Sequence, residues 1–289
     1  MYNYMKCCFC VIHCNRLFYL KNCVKSILDF INLEGIHLLI IDNGSVESGV
    51  REYLSSLPSF IGIKQIDGRH PNELHRSMNF AIQYCKKNKI PYVNFIQDDY
   101  QYVYKIPDLL SWVSDVFDFH SDIVQLNTNM VWKYKNIGKY NNIIVNGIKW
   151  YKLLQKTPCD NGITRVSFYD KIGLYPETVS VHGREKGYIA GESWFKEKCK
   201  NFYRAMLSTP NMAMLMDCAY VRGDKRIGKY EEPPNDYYLE PLTENDYKVV
   251  VENSNSNKVC FIEDLIKPFG WVPEIKTKHS IRNCSYDLK

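Results

Sequence analysis

No stretch of this sequence stays apolar for the roughly 20 residues that a membrane-spanning helix requires. The N-terminus lacks the small-residue cleavage site of a secretory leader, so no signal peptide is expected. Charge of one sign is not in large excess: 37 Lys+Arg against 32 Asp+Glu leave a net charge of +5 over 289 residues. That excess is spread along the chain, which argues against a nucleic-acid partner and suits an anionic substrate. Internal repeats are absent. Cys7 and Cys10 have C-x-x-C spacing, but no second C-x-x-C and no H-x-x-x-H pair follows, so a zinc site is not expected. The 11 cysteines are odd in number and irregular in spacing, which argues against a disulfide framework. Buried, reduced thiols in a cytoplasmic protein are the expectation.

What is present is a globular composition, with 45% hydrophobic and 14% aromatic residues. Apolar runs and helical spacings alternate from the start. Met5 to His13 reads as a buried strand. Leu17, Leu20, Val24, Ile27, Leu28 and Ile31 recur at helical spacing, and Gly35 stops that helix. Ile36 to Ile41 is a second strand, Glu47 to Leu57 a helix, and Ile61 to Ile66 a third strand. Pro71 opens a helix with Leu74, Met78, Ala81, Ile82 and Cys85 on one face. Tyr92 to Ile96 is the fourth strand. This alternation predicts an α/β fold: a mostly parallel central sheet, right-handed crossovers and helices on both faces. A helix is expected from Pro107 to Phe119 and a strand over Ile123 to Leu126. A hairpin is expected around Ile143 to Val145, turning at Gly147. Further on, Arg165 to Phe168 reads as a strand, Tyr169 to Tyr175 as a short helix, Val179 to Gly191 as a glycine-bearing loop, Glu192 to Tyr203 as a helix and Met212 to Met216 as the last strand. The texture changes near Glu231, giving a catalytic domain over 1–230 and, over 231–289, a linker and C-terminal extension, in which Pro233-Pro234 through Asn253 to Asn257 reads as an extended or partly disordered link.

In such sheets ligands bind beyond the carboxyl ends of the strands. Two acidic turns fall there, Asp42-Asn43-Gly44-Ser45 and Gln97-Asp98-Asp99. Adjacent carboxylates repel each other unless a positive group sits beside them. A divalent cation carrying phosphate oxygens is a natural partner, since hard cations prefer oxygen ligands. A solvated acidic turn is the plain alternative for Asp98 and Asp99, and helix capping is the plain alternative for Asp42.

The order of these signals resembles the inverting nucleotide-sugar glycosyltransferases of family 2, which have the GT-A fold. Ile40 to Ser45 (IIDNGS) is similar to that family's acidic turn after the second strand. His75 to Ile82 (HRSMNFAI) is similar to its R-x-x-N helix signature, and Phe95 to Tyr100 (FIQDDY) to its D-x-D element. Val166 to Glu177 resembles the segment before the acceptor site, and Gly191 to Lys198 (GESWFKEK) the element that holds the catalytic base. The likeness covers roughly residues 5 to 225. It implies a nucleotide-sugar donor and a glycan or lipid-linked acceptor, with peripheral contact at a membrane surface left open. It also implies Mn²⁺ or Mg²⁺ held by Asp99, donor contacts from Asp42, Arg76, Asn79, Asp98 and Arg222, and Glu192 as general base. Lys225 and Arg226 extend the basic segment that would close over a diphosphate. Two positions depart from the pattern: Gln97 stands at the first acidic position of the D-x-D element, and Ser193 where the family has Asp after the base. Those departures keep a non-catalytic sugar- or nucleotide-binding scaffold in view. A nucleotidyltransferase would need a glycine-rich phosphate loop where the chain has His13-Cys14-Asn15-Arg16, and a retaining glycosidase fits the strand–helix order poorly. Trp132, Tyr134, Trp150 and Trp194 are aromatic candidates either for sugar stacking or for core packing.

Overall fold

The structure is a computed structural model that describes residues 5–66, 73–128, 140–154, 162–177, 194, 197–214 and 240–256. Four parallel strands come first: β1 (Cys7–His13), β2 (Ile36–Asp42), β3 (Gly62–Gln65) and β4 (Tyr92–Gln97). Between them run the helices α1 (Leu17–Phe30), α2 (Val50–Ser56) and α3 (Glu73–Lys87). The chain continues with β5 (Tyr100–Tyr102), α4 (Leu109–Phe119), β6 (Ile123–Asn127), β7 (Tyr140–Val145), β8 (Ile148–Leu153), β9 (Gly162–Arg165), α5 (Phe168–Ile172), β10 (Tyr203–Leu207) and β11 (Met212–Met214). A last helix, α6, spans Glu244–Asn255.

Nine strands form one sheet in the order β3-β2-β1-β4-β9-β6-β10-β8-β7, and β5 pairs with β11 in a separate ribbon. β9 lies antiparallel between β4 and β6, and β8 antiparallel between β10 and β7. All other strands of the large sheet share one direction, so it is mostly parallel. Gly162 makes the β6–β9 contact possible: a Cβ there would come within 2.8 Å of the Leu126 carbonyl. The expected hairpin is β7–β8, and its two-residue turn places Asn146 at φ 48° and Gly147 at φ 81°, the left-handed pair of a tight hairpin turn.

The pleat sorts β1 between two cores. Cys7, Phe9 and Val11 pack with α1, α2 and α4, while Cys8, Cys10 and Ile12 pack with α3 and α5. Cys7 and Cys10 therefore face opposite sides of the sheet. Burial raises both thiols well above their ordinary range.

Several boundaries differ from expectation. The strand expected at Arg165 to Phe168 ends at Arg165, and the helix after it runs Phe168–Ile172. Tyr203 begins the strand β10 instead of ending a helix. The largest difference is α6. The Asn- and Ser-rich segment expected as extended chain is helical to Asn255. Thr243 and Asp246 form a reciprocal cap, Tyr247 stacks on Tyr104 at 3.6 Å, and Val250 is fully buried. Tyr247 donates to the Thr209 carbonyl at 2.9 Å, which ties the helix to the chain just before β11. The loop at 179–191 and the tail after Val259 lie outside the described residues. Among the described residues no helix is long and apolar enough to cross a membrane.

The cap gives a direct test. Thr243→Ala should weaken α6 locally by about 1 kcal/mol, read as faster amide exchange across Glu244–Asn255 with little change in the core strands.

Candidate active site

The register puts three strand ends side by side. His13 at the end of β1 lies opposite Asp42 at the end of β2, and Ile12 lies opposite Gln97 of β4. The backbone ladder runs one step further into the loops, where Asn43 N–H donates to the His13 carbonyl and Asp98 N–H to that of Ile12. The acidic turns that stand 55 residues apart in sequence are thus brought to one edge of the sheet.

Asp98 is completely buried and already partnered. The Arg16 guanidinium reaches both of its oxygens, Nε at 3.1 Å from Oδ2 and a terminal nitrogen against Oδ1. His13 Nδ1 lies 2.9 Å from Oδ2. With Arg16 supplying the positive charge, His13 stays neutral and donates from Nδ1. Its Nε2, buried and with no hydrogen-bond partner among the described residues, then carries the lone pair. Burial lowers His13 to about 4, assisted by Arg16 and opposed by the charges of Asp42 and Glu47.

Asp99 is also buried, at 1% exposure, but its Oδ1 has no partner among the described residues. An unsatisfied buried carboxylate oxygen is costly unless a cation or donor completes it. Oxygen is also the ligand type that Mn²⁺ or Mg²⁺ takes, so this residue fits the implied metal. No group of three metal-ligating side chains occurs among the described residues, so protein ligation there would be sparse.

Asp42 is buried and folds the turn after β2. Its Oδ1 accepts from the Ser45 backbone N–H at 3.1 Å and from Ser45 Oγ at 2.5 Å. The loop after β1 is stitched to this turn. Asn15, in the left-handed region at φ 50°, accepts from Val46 N–H at 2.7 Å and Glu47 N–H at 3.2 Å. Glu47 returns the bond by accepting from Leu17 N–H at 3.1 Å. Helix α1 has no capping side chain of its own, so a carboxylate from the second loop satisfies its first turn.

Helix α3 closes the other side. Ser77 donates to Asn43 Oδ1 at 2.5 Å. Arg76 lines a cavity of about 340 Å³ with Lys64, Gln65, Phe80 and Glu177. Asn79 also lines this cavity, but its Nδ2 donates to the Tyr175 carbonyl and to Glu177 Oε1, both at 2.8 Å, so both of its amide protons are spent. Trp150 is fully buried in the core and thus removed from any sugar contact. Trp194 is half-buried and packs on Tyr175 at 5.5 Å. Glu192, Arg222, Lys225, Arg226, Trp132 and Tyr134 lie outside the described residues.

The lock on Asp98 was not visible in the sequence, because Arg16 and Asp98 stand 82 positions apart. The one available signal was a cation directly after a strand end, within HCNR.

Residues 8–170 match the family model described as glycosyl transferase family 2. Among solved structures, S. aureus TarS is similar at 14% identity and TM-score 0.51, over 73% of this chain and 36% of that one. Its 1–349 fragment in complex with UDP-GlcNAc is similar at 15% identity and TM-score 0.52, over 88% of this chain and 73% of that one. The same fragment in complex with UDP gives 16% identity and TM-score 0.50, over 72% of this chain and 60% of that one. The match thus spans about a third of the length of that TarS chain. No curated protein sequence matches it.

Two outcomes follow from the buried cluster. His13 has a lower value folded than the ordinary 6.5, so the unfolded chain binds the extra proton as pH falls. Its contribution to stability should be intact above about pH 6.5 and be lost progressively down to about pH 4, and His13→Gln should flatten that part of the urea-midpoint profile. Arg16→Met should cost about 3–5 kcal/mol by stranding Asp98, and adding Asp98→Asn should recover part of the loss.

Proposed function

The chain belongs to glycosyl transferase family 2, and on that premise we propose that it moves a sugar from a nucleoside diphosphate to a hydroxyl of a glycan or lipid-linked acceptor, with inversion at the anomeric carbon. The observation that carries this reading is the row of carboxylates at the strand ends, in which Asp98 is neutralised by Arg16 while Asp99 keeps an unsatisfied buried oxygen.

In this reading Asp42 accepts N–H groups of the nucleotide base, a role open to a carboxylate whose loop is already held by Ser45. Arg76 on α3, lining the cavity beside Gln65 at the end of β3, favours the anionic donor. Asp98, which the family likeness would place at the ribose or sugar hydroxyls, is buried and keeps one lone pair, on Oδ1, beyond its bonds to Arg16 and His13. Asn79 is better assigned to holding Tyr175 and Glu177 than to the donor, since its amide protons are committed there. Asp99 would hold Mn²⁺ or Mg²⁺. The cation, when bound, neutralises charge that builds on the departing diphosphate.

The protein's own chemistry is a single proton transfer. Glu192 takes the proton from the acceptor hydroxyl as that oxygen bonds to the anomeric carbon from the face opposite the diphosphate. The bond from that carbon to the phosphate oxygen breaks, and the nucleoside diphosphate leaves. Arg222, with Lys225 and Arg226, supplies positive charge toward the leaving group. UDP-sugars are the first donors to try, because the similar TarS fragment was solved with UDP and with UDP-GlcNAc.

The decisive measurement is a thermal-shift screen of UDP-, GDP- and dTDP-sugars with Mn²⁺. A donor at about 100 times its Kd should stabilise the chain by about 2.7 kcal/mol. No shift with any donor would sink the nucleotide-sugar reading. Binding without turnover over a broad acceptor panel would support the scaffold reading. Asp99→Ala should remove metal-stimulated turnover and weaken Mn²⁺ binding measured directly. Glu192→Gln should leave donor binding intact and lower kcat by about 10²–10⁴-fold.

A further inference from the structure

Helix α1 carries two polar side chains on its buried face. Asn22 and Ser26 stand four residues apart, with exposures of 3% and 0%. A buried polar group is costly unless it is hydrogen-bonded. Both find a partner in β5, the strand that begins directly after Asp99. Asn22 Nδ2 donates to Gln101 Oε1 at 3.0 Å. Ser26 Oγ accepts from the Tyr102 backbone N–H at 3.0 Å and donates to the Cys23 carbonyl at 2.8 Å. The residues before Asp99 are held from the same helix. Arg16, at its N-cap position, binds Asp98, and Cys23 Sγ lies 3.9 Å from the Gln97 carbonyl. Asp99 sits close enough that its charge adds to burial in raising the Cys23 thiol, against the pull of Arg16. The chain from Gln97 to Tyr102 is therefore gripped by α1 on both sides of Asp99, whose own Oδ1 has no hydrogen-bond partner among the described residues.

We propose that Asn22 and Ser26 are positioning residues for Asp99, which set the direction of its unsatisfied carboxylate oxygen by fixing the strand that follows it. The proposal rests on reading Asp99 as the ligand of Mn²⁺ or Mg²⁺. Groups that orient a metal ligand contribute to affinity although they never touch the ion. Protein ligation among the described residues is sparse, so the aim of this one carboxylate carries much of the protein's share. Hydrogen bonds suit that task because they are directional. Apolar contact between α1 and β5 would hold the strand in place without fixing its rotation, since the hydrophobic effect has no preferred direction.

The test follows Mn²⁺ binding through the electron paramagnetic resonance signal of the free ion, with UDP, GDP and dTDP present in turn. The unmodified chain is compared with Asn22→Leu, with Asn22→Leu combined with Gln101→Met, and with Asp99→Ala. Asn22→Leu should raise the Mn²⁺ Kd by about 10–100-fold and leave nucleotide binding in the presence of a chelator unchanged. The double variant replaces both members of the buried amide pair by apolar groups of similar shape, so it should recover part of the lost thermal stability. Its Mn²⁺ Kd should stay raised, because the directional bond is still missing. An unchanged Mn²⁺ Kd in Asn22→Leu, a Kd that returns with stability in the double variant, or an equal loss of metal-free nucleotide binding would each overturn the proposal. Should Asn22→Leu fail to fold, Ser26→Ala removes the second grip on β5 and must show the same rise in Kd. An unmodified chain that takes up no Mn²⁺ with any of the three nucleotides, or an Asp99→Ala variant that binds it undiminished, overturns the reading of Asp99 and the proposal with it. Mn²⁺ binding that needs Asp99 but is indifferent to Asn22 and Ser26 overturns the proposal alone.

Discussion

The buried contact of Asp98 with Arg16 and His13 is the constraint on which the arrangement of the site depends. Taking a carboxylate and a guanidinium out of water costs several kcal/mol per ion, and their attraction offsets this only with good geometry and further hydrogen bonds. Both conditions hold here: Arg16 meets both Asp98 oxygens and His13 adds a third bond. The cluster joins the end of β1, the start of α1 and the turn after β4. It also settles the problem posed by two adjacent carboxylates. Arg16 neutralises Asp98 from within the protein, so among the described residues the turn is left with one carboxylate, Asp99, that has an oxygen without a hydrogen-bond partner. The neighbours then divide the work. One holds the fold together at its own site, and the other keeps an oxygen unsatisfied.

The loops around this cluster are held by mutual bonds more than by local propensity. Asn15 tolerates its left-handed backbone because its side chain accepts from two N–H groups of the next loop. Glu47 caps α1 from that loop. Each loop thus completes the other. A carboxylate at the helix N-terminus also sits where the helix dipole favours negative charge. The result is a crevice edge whose backbone is set before any ligand arrives, and such preorganisation lowers the cost of binding.

The strand–helix alternation of the first hundred residues was legible because each strand is a short apolar run and each helix has a one-sided stripe. The acidic turns were legible for the same reason, since a run that stops at Asp42 or Asp98 marks a carboxyl end. Elements with weaker signals were not. Tyr203–Leu207 contains no β-branched residue, and β5 is three residues long, so neither announced itself as a strand. Helix α6 was hidden by Asn253, Ser254 and Asn255, poor helix formers, although Thr243 and Asp246 three residues later form a cap signature. Its stability comes from burial of Val250 and the Tyr104–Tyr247 stack, which no local pattern reveals. In the site the same division holds. Asp99 could be singled out by its place in the chain. The partners of Asp98 and the clamp formed by Asn79 could not, because Asn79 and Tyr175 stand 96 positions apart.

The two cores explain why α3 matters to the edge that carries the acidic turns. His13 continues the alternation of Cys7, Phe9 and Val11, which places the cluster on the α1 side of the sheet, whereas α3 covers the opposite side. An edge gripped from one side only would be free to twist about the strand ends. The Ser77–Asn43 bond supplies the second grip, reaching the turn after β2 from the α3 side. One turn of helix away, His75 and Asn79 hold Tyr175. A shift of α3 along its axis would therefore disturb the turn that folds around Asp42 and the segment around Tyr175 in the same motion. The placements of these two segments are then not independent. A substitution that repacks Met78 or Ile82 beneath α3 acts on both, although neither residue reaches the crevice.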